Sequence, residues 1–149
     1  MDPKYIPTRI FMVILMNNTR KFCTEHNLDE SHGFSHFCRV MQHAQNALKY
    51  EPETVNFMQR FAILIASFLH DVDDAKYFLT NDFENARYLI NISKTEFEHK
   101  KATHIGLISQ EWIESVIKMI SLVSCSKNGN RPAEHKWMLI PRLADRLDA

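Results

Sequence analysis

Apolar residues recur at helical spacing along nearly all of the 149-residue chain. A first helix is predicted from about Thr8 to His26. A second follows Gly33, with apolar side chains at alternating intervals of three and four residues. A third, after Pro52, has two apolar stripes, which predicts a central helix covered on most sides. No stretch alternates between apolar and polar residues as a half-buried strand does, so the predicted fold class is all-α.

The second half of the chain continues the pattern. A fourth helix should begin near Asn81 or Asp82, and either side chain is a suitable N-cap. Apolar positions between residues 112 and 123 mark a fifth helix, and Pro141 suits the first turn of a final one. We therefore expect a single-domain helical bundle of about five to seven helices over residues 1–149.

Composition narrows the class of protein. The formal net charge is zero and the pI about 7.1, so the chain lacks the basic surplus typical of nucleic-acid or anionic-membrane binding. Cys23, Cys38 and Cys125 form no C-x-x-C pair, which favours a reducing, cytoplasmic setting. The apolar run at residues 10–16 is too short to span a bilayer and is not followed by a small-residue cleavage site. We interpret it as part of a bundle helix.

Acidic residues cluster where the third helix should end. His70 and Asp71 are followed at once by Asp73 and Asp74. A helix C-terminus favours cations, so this arrangement needs water, arginines or a divalent cation to relieve the repulsion. Asp73 or Asp74 could simply cap the next turn, but that explains only one of the three aspartates. The spacing does not fit a calcium-binding EF-hand loop, because Lys76 stands where that loop needs glycine.

A line of polar residues follows the second predicted helix. His32, His36, Arg39 and His43 lie at intervals of four, three and four, and therefore on one face. A solvated face that merely tolerates histidines explains the line equally well. If it is functional, two neutral imidazoles and two aspartates would balance the charge of one divalent ion. Such a nitrogen and oxygen site suits Mn²⁺, Mg²⁺, Fe²⁺ or Co²⁺ better than a thiolate-preferring metal.

Three stretches then resemble a known family. "SHGFSHFCRV" (31–40), "LHDVDDAK" (69–76) and "LADRLDA" (143–149) resemble, in order, the three signatures of the HD-domain metal-dependent phosphohydrolases. The resemblance is to the small stand-alone members that include nucleotide pyrophosphohydrolases. It implies an all-helical bundle that binds one divalent metal ion. Mn²⁺ and Mg²⁺ are the preferred ions, and Fe²⁺, Co²⁺ and Ni²⁺ are the alternatives. The metal ligands that it implies are His36, His70, Asp71 and Asp145.

The same resemblance implies further roles. Asp74 matches a position that often handles the attacking water, which makes it the catalytic candidate. Lys76 and Arg39 match basic positions suited to substrate phosphate, although a structural salt bridge explains Arg39 as well. His32 is expected on the substrate side. His43 has no counterpart and is interpreted as a surface or packing histidine.

These residues predict a hydrolase acting on a nucleotide, as a (deoxy)nucleoside triphosphate pyrophosphohydrolase or a nucleotidase. Open alternatives are a non-catalytic, metal-stabilised nucleotide sensor, a phosphodiesterase, and a diiron oxygenase to which His32 would add a ligand. The expected partner is a small phosphorylated molecule rather than a membrane or a nucleic acid, and the oligomeric state stays open.

Two departures from the family pattern affect the expected pocket. The region 121–130 lacks the His-Ser pair of many relatives, and Lys127 or Asn128 would have to substitute for it. The chain also ends four residues after Asp145, where relatives continue, which suggests either truncation or a reduced bundle.

Overall fold

The computed structural model describes residues 5–29, 33–50, 55–100, 108–123 and 135–148. Within these ranges the chain is helical and contains no strand, which confirms the all-α class. A 3₁₀ turn, Lys136–Leu139, runs directly into the last helix. The helices are α1 (Tyr5–Glu25), α2 (Phe34–Leu48), α3 (Phe57–Leu69), α4 (Glu84–His99), α5 (Gln110–Ser121) and α6 (Ile140–Leu147).

Helix α3 is the centre of the bundle, as its two apolar stripes predict. It packs against α2, α5 and α6, and most of its side chains are buried. Its start is set by a capping box: Asn56 Oδ1 accepts the backbone N–H of Gln59 at 2.9 Å, and Gln59 Oε1 accepts that of Asn56 at 2.9 Å. This reciprocal pair satisfies two amides that a helix start would otherwise leave open.

Helix α1 packs mainly on α4 rather than on α2. Phe11 is fully buried and meets the rings of Phe61 and Phe97 edge-on, at centroid distances of 6.1 and 6.0 Å. The opposite face is apolar as well but open, with Ile6 and Val13 both more than half exposed. Among the described helices, none is both long enough and apolar enough to traverse a bilayer.

Helix α2 begins at a close backbone approach. A Cβ placed on Gly33 would lie 2.5 Å from the carbonyl oxygen of Asp29, so only glycine fits at this position. Gly33 is the N-cap of α2, so His36 lies in the first turn of the helix.

The predicted cap of α4 is wrong. The N-cap residue is Phe83, in the left-handed conformation at φ 57°, and neither Asn81 nor Asp82 caps the helix. Instead, the carboxylate of Asp73, in the loop before α4, contacts the first turn of the helix. It accepts the backbone N–H of Asn85 at 2.9 Å and that of Ala86 at 3.0 Å. Asp73 therefore caps α4 from a distance, which explains one of the three clustered acids.

Candidate metal centre

Three separated segments of the chain meet beside the C-terminal end of α3. His36 comes from the first turn of α2, His70 and Asp71 directly follow α3, and Asp145 comes from α6. Since α2 and α6 both pack on α3, the fold brings the four sequence-predicted side chains together. Both histidines are buried, and the two aspartates are partly exposed.

The donor atoms of this cluster are closely and evenly spaced. His36 Nε2 lies 3.3 Å from His70 Nε2 and 3.2 Å from Asp71 Oδ2. Asp145 Oδ1 lies 3.0 Å from His70 Nε2 and 3.4 Å from His36 Nε2. Around an ion with bonds of about 2.1 Å, neighbouring ligand atoms are roughly 3.0 Å apart in octahedral and 3.4 Å apart in tetrahedral geometry. The observed spacings fit such an ion.

The outer nitrogen of each imidazole determines what the inner one presents. His70 Nδ1 lies 2.8 Å from the carbonyl oxygen of Ser67, which can only accept a hydrogen bond. His36 Nδ1 lies 2.7 Å from Asp148 Oδ2. Both Nδ1 atoms therefore donate, and in the neutral rings both Nε2 lone pairs point into the cluster. This is how histidine ligands of metal ions are usually held.

In the metal-free protein, the histidines and aspartates of the cluster shift one another's pKa values. Burial lowers the pKa of His36, but hydrogen bonds with Asp145, Asp71 and Asp148 outweigh it and raise the pKa to about 10. For His70, burial again lowers the pKa, and Asp145 and Asp71 raise it to about 9. Burial raises the pKa values of Asp71 and Asp145, and the histidines then hold them well below the usual range. A divalent cation bound here would therefore compete with protons for the same atoms.

Asp148 is a residue of this centre that sequence reasoning missed. Besides His36, its carboxylate accepts the Nε–H of Arg39 at 3.0 and 3.1 Å, and His43 Nε2 lies 3.6 Å away. Its side chain is only 10% exposed. One signal was present in the sequence, because Asp145 and Asp148 are three residues apart and share a helical face.

Arg39 and His43 both lie beside the carboxylate of Asp148. The Arg39 side chain is engaged by Asp148, as the salt-bridge alternative predicts. His43, interpreted from the sequence as a surface or packing histidine, is partly exposed, and its Nε2 lies 3.6 Å from the same carboxylate.

The remaining predicted residues lie on the loop after α3. The backbone N–H of Asp74 donates to the carbonyl of Asp71 at 3.1 Å, which places Asp74 next to the cluster along the chain. Its Oδ1 accepts the backbone N–H of Lys76 at 3.0 Å, and Lys76 is exposed. His32 and the alternatives Lys127 and Asn128 lie outside the described residues.

Comparisons with known proteins add one relative. The chain is 39% identical over 137 residues to uncharacterized protein L803 of Acanthamoeba polyphaga mimivirus, a match that covers 87% of this chain. The chain spans about half the length of that relative, 52%. No family model matches the sequence, and no solved structure matches the fold. The function must therefore be argued from the centre itself.

Proposed function

We propose that this protein is a divalent-metal-dependent phosphohydrolase of the HD-domain type that acts on a nucleotide. Its reaction would be that of a (deoxy)nucleoside triphosphate pyrophosphohydrolase or a nucleotidase. The proposed ligands are His36, His70, Asp71 and Asp145, and Mn²⁺ or Mg²⁺ is the proposed ion.

One observation carries the proposal: two Nε2 atoms and oxygens of two carboxylates converge at distances longer than a charge-assisted hydrogen bond. A charge-assisted hydrogen bond between nitrogen and oxygen is about 2.7–2.9 Å long. The contact of His36 Nδ1 with Asp148 has this length, at 2.7 Å. The four inner contacts between Nε2 atoms and carboxylates are longer, at 3.0–3.4 Å. The outer contact is therefore typical of a hydrogen bond, whereas the inner spacing suits atoms that share one cation.

The chain's own residues divide the chemistry among them. A divalent ion bound here would supply a water of lowered pKa and a clamp for a phosphoryl oxygen. Asp148 holds the His36 ring, and the Ser67 carbonyl holds the His70 ring. Asp74 accepts the proton of the attacking water, and Lys76 places positive charge near the phosphates. An exposed lysine in a loop can adapt to phosphates of different geometry.

A nucleotide panel tests this proposal. Purified protein with Mn²⁺ is assayed for release of phosphate and of pyrophosphate from nucleoside triphosphates and monophosphates. The His70→Ala variant should lose more than about 100-fold in activity, because it removes a ligand. The matched control is His99→Ala, which changes an exposed histidine of α4 and should keep full activity. No product over a wide range of metals and pH, or full activity in His70→Ala, would exclude the proposal.

A non-catalytic nucleotide sensor is the second candidate, and the structure contains a reason for it. Asp74 and Arg39, two residues proposed to act on substrate, both have their polar atoms engaged within the protein. A sensor would gain thermal stability from Mn²⁺ and nucleotide together without turnover. An enzyme would instead lose about 10²–10⁴-fold in kcat in Asp74→Asn while binding Mn²⁺ as before. A silent Asp74→Asn exchange together with ligand-induced stabilisation would favour the sensor.

A further inference from the structure

A cavity lies away from the candidate metal centre, between α1, α2 and the first half of α3. Its volume is about 490 Å³. It exists because α1 packs mainly on α4, whereas α2 packs on α3 and α6, so that part of α3 is left uncovered between them. None of the proposed ligands lines it. Its nearest lining residues along α2 and α3, Met41 and Leu64, are five and six residues from His36 and His70, roughly 8–9 Å along a helix. The cavity is thus separate from the proposed ligands.

The floor of this cavity is apolar. Phe57 and Leu64 of α3 are only partly covered, although α3 is otherwise the most buried helix. Met12 of α1 and Met41 of α2 both line the cavity, and methionine side chains adapt to ligands of varied shape. A concave apolar surface of several hundred Å³ is typical of a small-molecule site. Phe61 and Leu48 complete the floor.

The rim of the cavity is cationic. Arg9, Lys49 and Arg60 line it, and none of the described lining residues is acidic. Arg60 donates from Nε to the carbonyl oxygen of Val55 at 3.1 Å and from NH1 to that of Leu48 at 3.0 Å. These neutral acceptors hold the guanidinium in place without cancelling its charge. A fixed, uncancelled arginine at the edge of an apolar floor is suited to an anionic head group.

We propose that this cavity binds a small amphiphile with an unbranched aliphatic chain and one carboxylate head group. The chain would lie on the apolar floor and the carboxylate would meet the cationic rim. An acidic helix of a partner protein, about 10 Å across, would leave most of its surface outside a cavity of about 490 Å³. A nucleotide would meet the cationic rim with its phosphates, but its polar sugar and base edges would then lie on a largely apolar floor. The site does not depend on the proposed phosphohydrolase activity.

The methionines provide a local measure of binding. Decanoate, at concentrations where it is monomeric, is titrated into full-length protein labelled with ¹³C at the methionine methyl groups. The signals of Met12 and Met41 should shift with saturation, and that of Met138, in the 3₁₀ turn, should not. Neutral decanol should bind about five-fold more weakly, because it lacks the charge that the rim attracts. Butyrate, which lacks the chain, should not saturate.

Two variants separate charge from space. Replacing exposed Arg9 and Lys49 together by glutamine should weaken decanoate binding about five-fold. The control replaces exposed Lys21 and Lys118 by glutamine, which removes the same charge outside the cavity, and should leave binding unchanged. Gln45→Trp, at an exposed lining position, should block binding while the melting temperature stays the same.

Three results would overturn the inference. The first is the absence of any shift at Met12 and Met41. The second is equal affinity for decanoate and decanol, which would make the cavity merely apolar. The third is a response of these methionines to vesicles of phosphatidylglycerol but not to decanoate, which would indicate a membrane contact instead.

Discussion

Replacing Asp148 by asparagine removes the charge that holds His36 while keeping the size of the side chain. Asp148 Oδ2 accepts the Nδ1–H of His36 at 2.7 Å, and the same carboxylate accepts the Nε–H of Arg39. Asparagine has one acceptor oxygen and one amide group, so it cannot accept from both donors in the same way. We expect the His36 ring to lose its fixed tautomer and orientation, and the metal affinity to fall.

The expected magnitude follows from the contact of Asp148 with His36, a proposed metal ligand. Loss of a residue that orients a metal-bound histidine costs about 10- to 100-fold in metal affinity, which is about 1.4–2.8 kcal/mol. Asp148 should lie in this range, because its side chain is 10% exposed and solvent cannot easily replace it. The Mn²⁺ affinity is measured without substrate, from the paramagnetic resonance signal of unbound Mn²⁺ during a titration.

Arg39→Gln is the matched control. It removes the other partner of Asp148 and keeps the carboxylate that holds His36. The Arg39 side chain is 51% exposed, so loss of this ion pair should cost at most about 1 kcal/mol, or about five-fold in affinity. If Asp148→Asn keeps the wild-type Mn²⁺ affinity, with an unchanged circular dichroism spectrum, then Asp148 does not orient a metal ligand and this reasoning is wrong.

Three further predictions address the fold and the balance between protons and metal. Asp73→Ala should lower the free energy of unfolding by about 1–2 kcal/mol in urea titrations, because two backbone amides of α4 lose their acceptor. Asn81→Ala is the control and should have almost no effect, because Asn81 does not cap the helix. Gly33→Ala should destabilise the fold by about 1–3 kcal/mol in the same assay, because the added Cβ would lie 2.5 Å from a backbone carbonyl oxygen. It should also weaken Mn²⁺ binding, because relief of this contact shifts the start of α2. In the metal-free protein, the raised pKa values of His36 and His70 contribute stability below pH 6.5 that is lost as the pH rises through 9 to 10. Melting temperatures should therefore fall over this range without metal, whereas the stabilisation by Mn²⁺ should grow; a parallel decline in both would contradict proton–metal competition.

The fold class and the cluster were within reach of the sequence for a physical reason. Helical periodicity is a local property, so the positions of α2 and α3 follow from intervals of three and four residues. The pair His70 and Asp71 is conspicuous because a helix C-terminus disfavours acid. A cation shared by this pair would need further nitrogen and oxygen donors. The resemblance to the family signatures provides His36 and Asp145 for these roles.

Residues whose partners lie far away in the sequence could not be predicted from local patterns. Asp73 caps α4 because the loop folds back over the start of that helix, and no local pattern encodes this turn. Asp148 meets His36 across 112 positions of sequence. Its role depends on how α6 lies against α2, which only the packed bundle decides. The pairing of Arg39 with Asp148 follows from the same packing.

Burial and helix geometry together explain why this centre should couple metal binding to stability. The imidazoles of His36 and His70 lie against the ring of Phe37, at centroid distances of 6.4 Å in both cases. An apolar wall of this kind weakens solvation and strengthens the repulsion between the carboxylates of Asp71 and Asp145. Asp71 also lies at the negative end of the α3 dipole, which adds to the unfavourable energy. In the metal-free protein, protons on the histidines offset this energy only while the pH stays below their raised pKa values. A divalent ion would offset this unfavourable energy at higher pH as well. The burial that makes the metal-free cluster sensitive to pH would therefore let the metal contribute to folding stability as well as to chemistry.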